Sequence, residues 1–136
     1  MKKFAQAKWE GAGKQGKGTL TTETDALQNA SYTFASRFED GKGTNPEELI
    51  AAAHAGCYCM KLSFDLEEAG FDPKSLDAKC DITLEDGGIT NSHITLKADI
   101  TGINEQKFQE LAKKAKEECP ISILLDTELT LDAQLV

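Results

Sequence analysis

One segment constrains this chain more than any other. Asn45-Pro46-Glu47-Glu48 is a strong helix start. Asn is a good cap, Pro suits the first helical position, and two carboxylates favour the positive end of the helix dipole. Nothing breaks the helix until about Ala69, where Gly70 stops it. Its middle, Leu49-Ile50-Ala51-Ala52-Ala53-His54-Ala55-Gly56-Cys57, is apolar nearly all round. Such a helix is expected to be buried rather than amphipathic. Its small residues let other backbone come close.

The flanking segments alternate. Residues 3–10, 19–24 and 31–39 read as three strands, the last with Tyr32, Phe34 and Phe38 on one face and Arg37 on the other. Gly11 to Gly18 forms a mobile turn between the first two. Residues 76–84 and 89–100 form a hairpin around Glu85-Asp86-Gly87-Gly88. Asn104 caps a second helix, 105–118, with Phe108, Leu111, Ala112 and Ala115 on its apolar face. Cys119-Pro120 interrupts it, a short helical turn follows, and 127–135 is a last strand. Three strands, helix, two strands, helix, strand is an α+β order with mainly antiparallel sheet, and 136 residues suit one domain spanning 1–136.

A net charge of −8 argues against nucleic acid and anionic membranes, both of which are held by clustered Lys and Arg. No apolar run approaches the ~18 residues of a membrane span, and the start of the chain lacks a signal-peptide core. The expected compartment is therefore the cytosol. Four cysteines there point to catalysis, metal or burial before a structural disulfide framework.

Gly11-Ala12-Gly13-Lys14-Gln15-Gly16-Lys17 comes close to a phosphate loop. Gly18 stands where a metal-binding Ser or Thr is needed, and the segment leads into a strand, so a flexible hairpin is the better reading. His54, Cys57 and Cys119 fall short of a closed zinc site, and Cys57 and Cys59 point ~200° apart on a helix. No metal or other cofactor is expected. Cys80 reads as core and Cys59 as core or a spare thiol.

Burial alone would leave Cys57 inert, so reactivity requires a nearby cation. His54 and Lys61 are one turn away on either side, and Arg37 is the candidate from elsewhere. Cys119, preceding Pro120, would cap the short helix, whose free amides would lower its pKa.

The run from Ser36-Arg37-Phe38-Glu39-Asp40-Gly41 through Asn45-Pro46-Glu47-Glu48-Leu49 to Ala53-His54-Ala55-Gly56-Cys57 resembles the core motif of the OsmC/Ohr family. Lys116-Glu117-Glu118-Cys119-Pro120 resembles its second motif. Trp9-Glu10-Gly11 and Glu128-Leu129-Thr130-Leu131-Asp132 extend the likeness over nearly the whole chain, with the osmotically inducible protein C branch the nearer. The resemblance implies antiparallel sheets wrapped around long central helices in an intertwined homodimer. It implies a thiol-dependent peroxidase acting on organic hydroperoxides and, more variably, on hydrogen peroxide, with a dithiol reductant of lipoyl or thioredoxin type. By the same resemblance Cys57 is the peroxidatic thiol, Cys119 the resolving thiol, Arg37 the cation at the thiolate, and Glu47 the carboxylate that fixes Arg37. Cys59 departs from the small residue usual at its position.

One physical argument stands beside the resemblance. Glu47 and Cys57 lie ten residues apart on one helix, ~15 Å at ~1.5 Å per residue. A carboxylate so placed would serve the thiol of an antiparallel partner helix, which points to a site shared across a two-fold dimer. A non-enzymatic ligand-binding dimer, a metal-dependent hydrolase using His54, Cys57 and Cys119, and a thiol redox sensor are the rival readings.

Overall fold

The computed structural model describes residues 1–136. Its elements are β1 (Ala5–Glu10), β2 (Lys17–Thr22), β3 (Ala30–Thr33), α1 (Phe34–Phe38), α2 (Pro46–Glu68), β4 (Pro73–Glu85), β5 (Gly88–Ile100), α3 (Glu105–Glu118), α4 (Pro120–Leu124) and β6 (Glu128–Leu135). The class is α+β, with two three-stranded sheets. Backbone contacts separate two compact units, Met1–Leu49 and Ile50–Val136.

In the first unit β1, β2 and β3 form an antiparallel sheet in that order. A short 3₁₀ turn, Gly13–Gln15, joins β1 to β2. Gly16 and Gly18 have a steric role here. A Cβ at Gly16 would strike the Trp9 ring and one at Gly18 the Tyr32 ring, whose centroids lie 5.3 Å apart.

The expected third strand, 31–39, is only half strand. Chain geometry switches at Thr33, whose Oγ1 accepts the Ser36 N–H at 3.1 Å while Ser36 Oγ accepts the Thr33 N–H at 2.8 Å. This reciprocal cap starts α1. Phe34 and Phe38 then pair along the helix with centroids 4.9 Å apart. Arg37 is therefore on a helix, not on a strand.

In the second unit β4, β5 and β6 form the other sheet. Asp86 and Gly87 adopt φ of +50° and +79°, as a two-residue hairpin turn requires. The expected antiparallel bias holds for β4 and β5, but β6 runs parallel to β5. The chain returns through α3 and α4 before pairing, a crossover rather than a hairpin.

Asn104 Oδ1 accepts the Lys107 N–H at 2.8 Å and starts α3. The core gathers Tyr58, Leu62 and Leu66 of α2, Ile94, Leu96, Ala98 and Ile100 of β5, and Phe108, Leu111, Ala112 and Ala115 of α3. Tyr58 adds a bond from its hydroxyl to the Ala112 carbonyl at 3.1 Å.

α2 starts and stops where expected. Asn45 Oδ1 accepts the Glu48 N–H at 2.7 Å, and Gly70 takes φ +90°. The expectation that it is buried all round fails. One stripe, His54, Tyr58, Leu62, Asp65 and Leu66, is buried. The other, Ala52, Gly56, Met60 and Phe64, recurs every four residues and is exposed, Met60 by 63% and Phe64 by 60%. The apolar character of the sequence is the same on both sides, but a single copy of the chain covers only one. No helix is long and apolar enough to cross a membrane.

Candidate active site

The first unit carries the guanidinium. α1 is short, and the loop after it folds back on it. Thr44 N–H donates to the Ser31 carbonyl at 2.9 Å, and Ser36 Oγ donates to the Thr44 carbonyl at 2.8 Å. Asn45 Nδ2 donates to the Ser36 carbonyl at 3.2 Å. These bonds set the first turn of α2 against α1 and bring Glu47 to Arg37. Arg37 Nη2 donates to Glu47 Oε1 at 2.7 Å, and Nε contacts both carboxylate oxygens at 3.1 and 3.2 Å. A forked pair of this kind fixes the guanidinium plane as a lysine could not. Burial pushes the Glu47 carboxyl upward, but the Arg37 hydrogen bonds and charge and its own backbone amide outweigh it and hold it below the usual carboxylate range. The pairing raises the Arg37 pKa further.

The second unit carries the thiols. Cys57 is half-buried on α2, and Cys119 is fully buried at the joint between α3 and α4. Cys119 is close enough to act on the Cys57 thiol. Cys119 caps α4 by position, yet its side chain caps no amide of that helix. The Ile121 amide acts instead on Cys57. The helix amide at this end thus favours the Cys57 thiolate. Burial first, then the neighbouring Cys119 sulfur, which favours the protonated Cys57 thiol, still outweigh that amide and leave the Cys57 pKa above its usual value. No cation acts on the sulfur from within this unit.

The two cations considered beside Cys57 on its own helix are otherwise engaged. Lys61 pairs with Asp65 at 2.5 Å and Glu118 at 3.1 Å. His54 is fully buried, with Nδ1 2.6 Å from Ser92 Oγ and Nε2 2.7 Å from Ser122 Oγ. Burial lowers its pKa, so it is neutral, donating to one serine and accepting from the other. Ser92 and Ser122 were not singled out from sequence. The available signal was polarity out of place: Ser92 leads the inward run Ile94, Leu96, Ala98 and Ile100, and Ser122 lies between Ile121 and Ile123.

The remaining thiols are ordinary. Cys59 faces the Leu76 carbonyl at 3.7 Å, and Cys80 lies 3.2 Å from Ser92 Oγ; burial raises the pKa of both.

The α+β fold carries one cysteine on its long helix, a second at a helix joint and, in its first unit, a carboxylate-locked arginine, which are the residues of both motifs. The chain belongs to the OsmC family: residues 39–134 match the family model described as OsmC-like protein. It is 49% identical over 137 residues to Peroxiredoxin OsmC of Escherichia coli (strain K12), covering 98% of this chain and 96% of that one. It is 29% identical over 108 residues to the organic hydroperoxide resistance protein OhrB of Bacillus subtilis (strain 168), covering 77% and 79%. The solved OsmC-like protein from Mycoplasma pneumoniae shares the fold at a TM-score of 0.74 and 12% identity, over 100% of this chain and 98% of that one.

Proposed function

We propose that this chain is a thiol-dependent peroxidase that reduces organic hydroperoxides, and hydrogen peroxide more variably, with Cys57 as the attacking sulfur. The observation that carries the reading is that the half-buried Cys57 thiol is acted on by the fully buried Cys119 and by the Ile121 amide of the next helix. Membership of a family whose relatives are named for peroxide chemistry supports it.

In this reading the Cys57 thiolate attacks the outer peroxide oxygen. The O–O bond breaks, an alkoxide leaves and takes a proton as the alcohol, and Cys57 becomes a sulfenic acid. Arg37, held by Glu47, stabilises the thiolate and the charge on the leaving oxygen. The thiolate of Cys119 then attacks the sulfenic sulfur. The S–S bond forms, the S–O bond breaks, and the oxygen leaves as water. A dithiol reductant of lipoyl or thioredoxin type restores both thiols by exchange. No cofactor takes part, and the reading assigns the protein to the cytosol, where such reductants operate.

The charge is proposed to come from a second copy. The helix carrying Glu47 and Cys57 is unbroken from Pro46 to Glu68, so the two are ~15 Å apart along it. Antiparallel pairing of two α2 helices through the open Ala52, Gly56, Met60 and Phe64 stripe would cover apolar surface and bring one copy's Arg37–Glu47 pair toward the other's Cys57. The site is then shared across a homodimer. Peptide mapping after one equivalent of cumene hydroperoxide tests the chemistry. A Cys57–Cys119 disulfide is the expected product; oxidation confined to Cys59 or Cys80 would remove the assignment.

A further inference from the structure

His54 and Lys61 stand three residues before and four after Cys57 on α2, so both lie on its face of the helix, one turn to either side. Each grips the segment that carries Cys119. His54 Nε2 meets Ser122 Oγ of α4 at 2.7 Å, and Lys61 Nζ meets Glu118 of α3 at 3.1 Å. The two anchors therefore bracket Cys119, one residue before it and three after. The far side of each is also fixed. His54 Nδ1 rests on Ser92 of β5 at 2.6 Å, and Lys61 is held by Asp65 at 2.5 Å. The Asp65 carboxylate is buried and lies 3.8 Å from Lys114 through the same oxygen that holds Lys61.

We infer that His54–Ser122 and Lys61–Glu118 form a two-point clamp that holds the joint between α3 and α4 against α2, so that Cys119 is positioned to close the disulfide as soon as Cys57 is oxidised. This rests on the roles proposed above for the two cysteines. His54, Ser122, Lys61 and Glu118 are positioning residues, acting on the sulfur through the segment they hold.

The arms differ in weight. Ser122 and His54 are buried, and loss of one hydroxyl leaves a buried ring nitrogen without its partner. Glu118 is half exposed, so its ion pair is the weaker arm. Without the clamp the joint samples positions in which Cys119 faces away. The sulfenic acid then lives longer, and a second peroxide converts it to sulfinic acid.

The test separates peroxidation from closure by rapid mixing with cumene hydroperoxide, quenching and mass spectrometry, at a pH where Cys57 is fully ionised. Ser122→Ala is expected to slow closure about tenfold, the weight of roughly one buried hydrogen bond. Its rate of sulfenic acid formation should stay within about twofold of the parent, and its yield of sulfinic acid should rise. Glu118→Gln, on the exposed arm and safe for folding, is expected to slow closure about threefold. Ser92→Ala loosens the same histidine while leaving its bond to Ser122, and should slow closure less than Ser122→Ala. Closure at the parent rate in both Ser122→Ala and Glu118→Gln overturns the clamp, as does a slowing in Ser92→Ala equal to that in Ser122→Ala. Absence of a Cys57–Cys119 disulfide in the parent protein overturns the peroxidase reading instead.

Discussion

Phe64→Asp should break the proposed homodimer. Phe64 lies on the stripe of α2 that a single copy leaves open. A phenylalanine offers about 200 Å². With 60% of Phe64 exposed, about 120 Å² is free to be covered, worth about 3 kcal/mol at about 25 cal/mol per Å². A two-fold contact counts each residue twice, so the pair contributes about 6 kcal/mol before the cost of ordering the interface. Half of that alone is a change of about a hundredfold in Kd, and an aspartate in the seam adds repulsion to the loss. Sedimentation equilibrium from nanomolar to micromolar concentration reads the constant, and circular dichroism checks that the monomer is folded. A folded variant that dimerises within tenfold of the parent would refute the pairing of α2 helices. Activity should fall with the dimer fraction, because the guanidinium is proposed to come from the second copy.

Other perturbations probe the charges and the thiols. Cys119→Ala removes a neighbour that favours the protonated Cys57 thiol, so thiolate absorbance near 240 nm should titrate at lower pH than in the parent; an upward or absent shift would contradict that effect of Cys119. Glu47→Gln should lower kcat/KM with alkyl hydroperoxides by about tenfold or more, as lost positioning of Arg37 predicts. It should cost no more than about 1 kcal/mol of stability in urea, because the pair is partly exposed. Burial lowers the His54 pKa from its ordinary 6.5, so the folded state binds that proton more weakly than the unfolded chain. The resulting stability is complete above about 6.5 and is lost as pH falls through the lowered value; the Tm of His54→Gln should show a flatter acid limb, and a parent His54 titrating at its ordinary value by NMR would cancel the effect.

Sequence reading succeeded where the determinants are local. The start and stop of α2 rest on Asn45, Pro46 and Gly70, all within a few residues of the boundary they set. It failed where two periods coincide. Phe34 and Phe38 are four apart, which satisfies a strand's period of two as well as a helix's return near four, and the Thr33–Ser36 cap decides between them. It failed again where the partner is distant. The pairing of β6 with β5 is parallel, and nothing in 127–135 records that direction. In the site, Arg37 and Glu47 were named together and are hydrogen-bonded, but the network around His54 joins residues 38 and 68 positions away. Polarity out of place marks those two serines, but no local pattern says that they meet one histidine.

The pKa of Cys57 makes sense of the open face of α2. Within residues 50–136 the sulfur is desolvated, meets a second thiol and receives one amide, and the balance keeps it protonated. A protonated thiol is a poor nucleophile and is protected from casual oxidation. An arginine brought to the sulfur reverses that balance, since an opposite charge within a few ångströms lowers a pKa by roughly 1 to 3 units. Glu47 holds the guanidinium in place and favours its charged form. Thiol reactivity would then depend on assembly. A lone chain would hold two quiet cysteines, and pairing would supply the missing charge. Alkylation of Cys57 by iodoacetamide should accordingly be slower in monomeric Phe64→Asp than in the parent, at equal pH and with the fold intact.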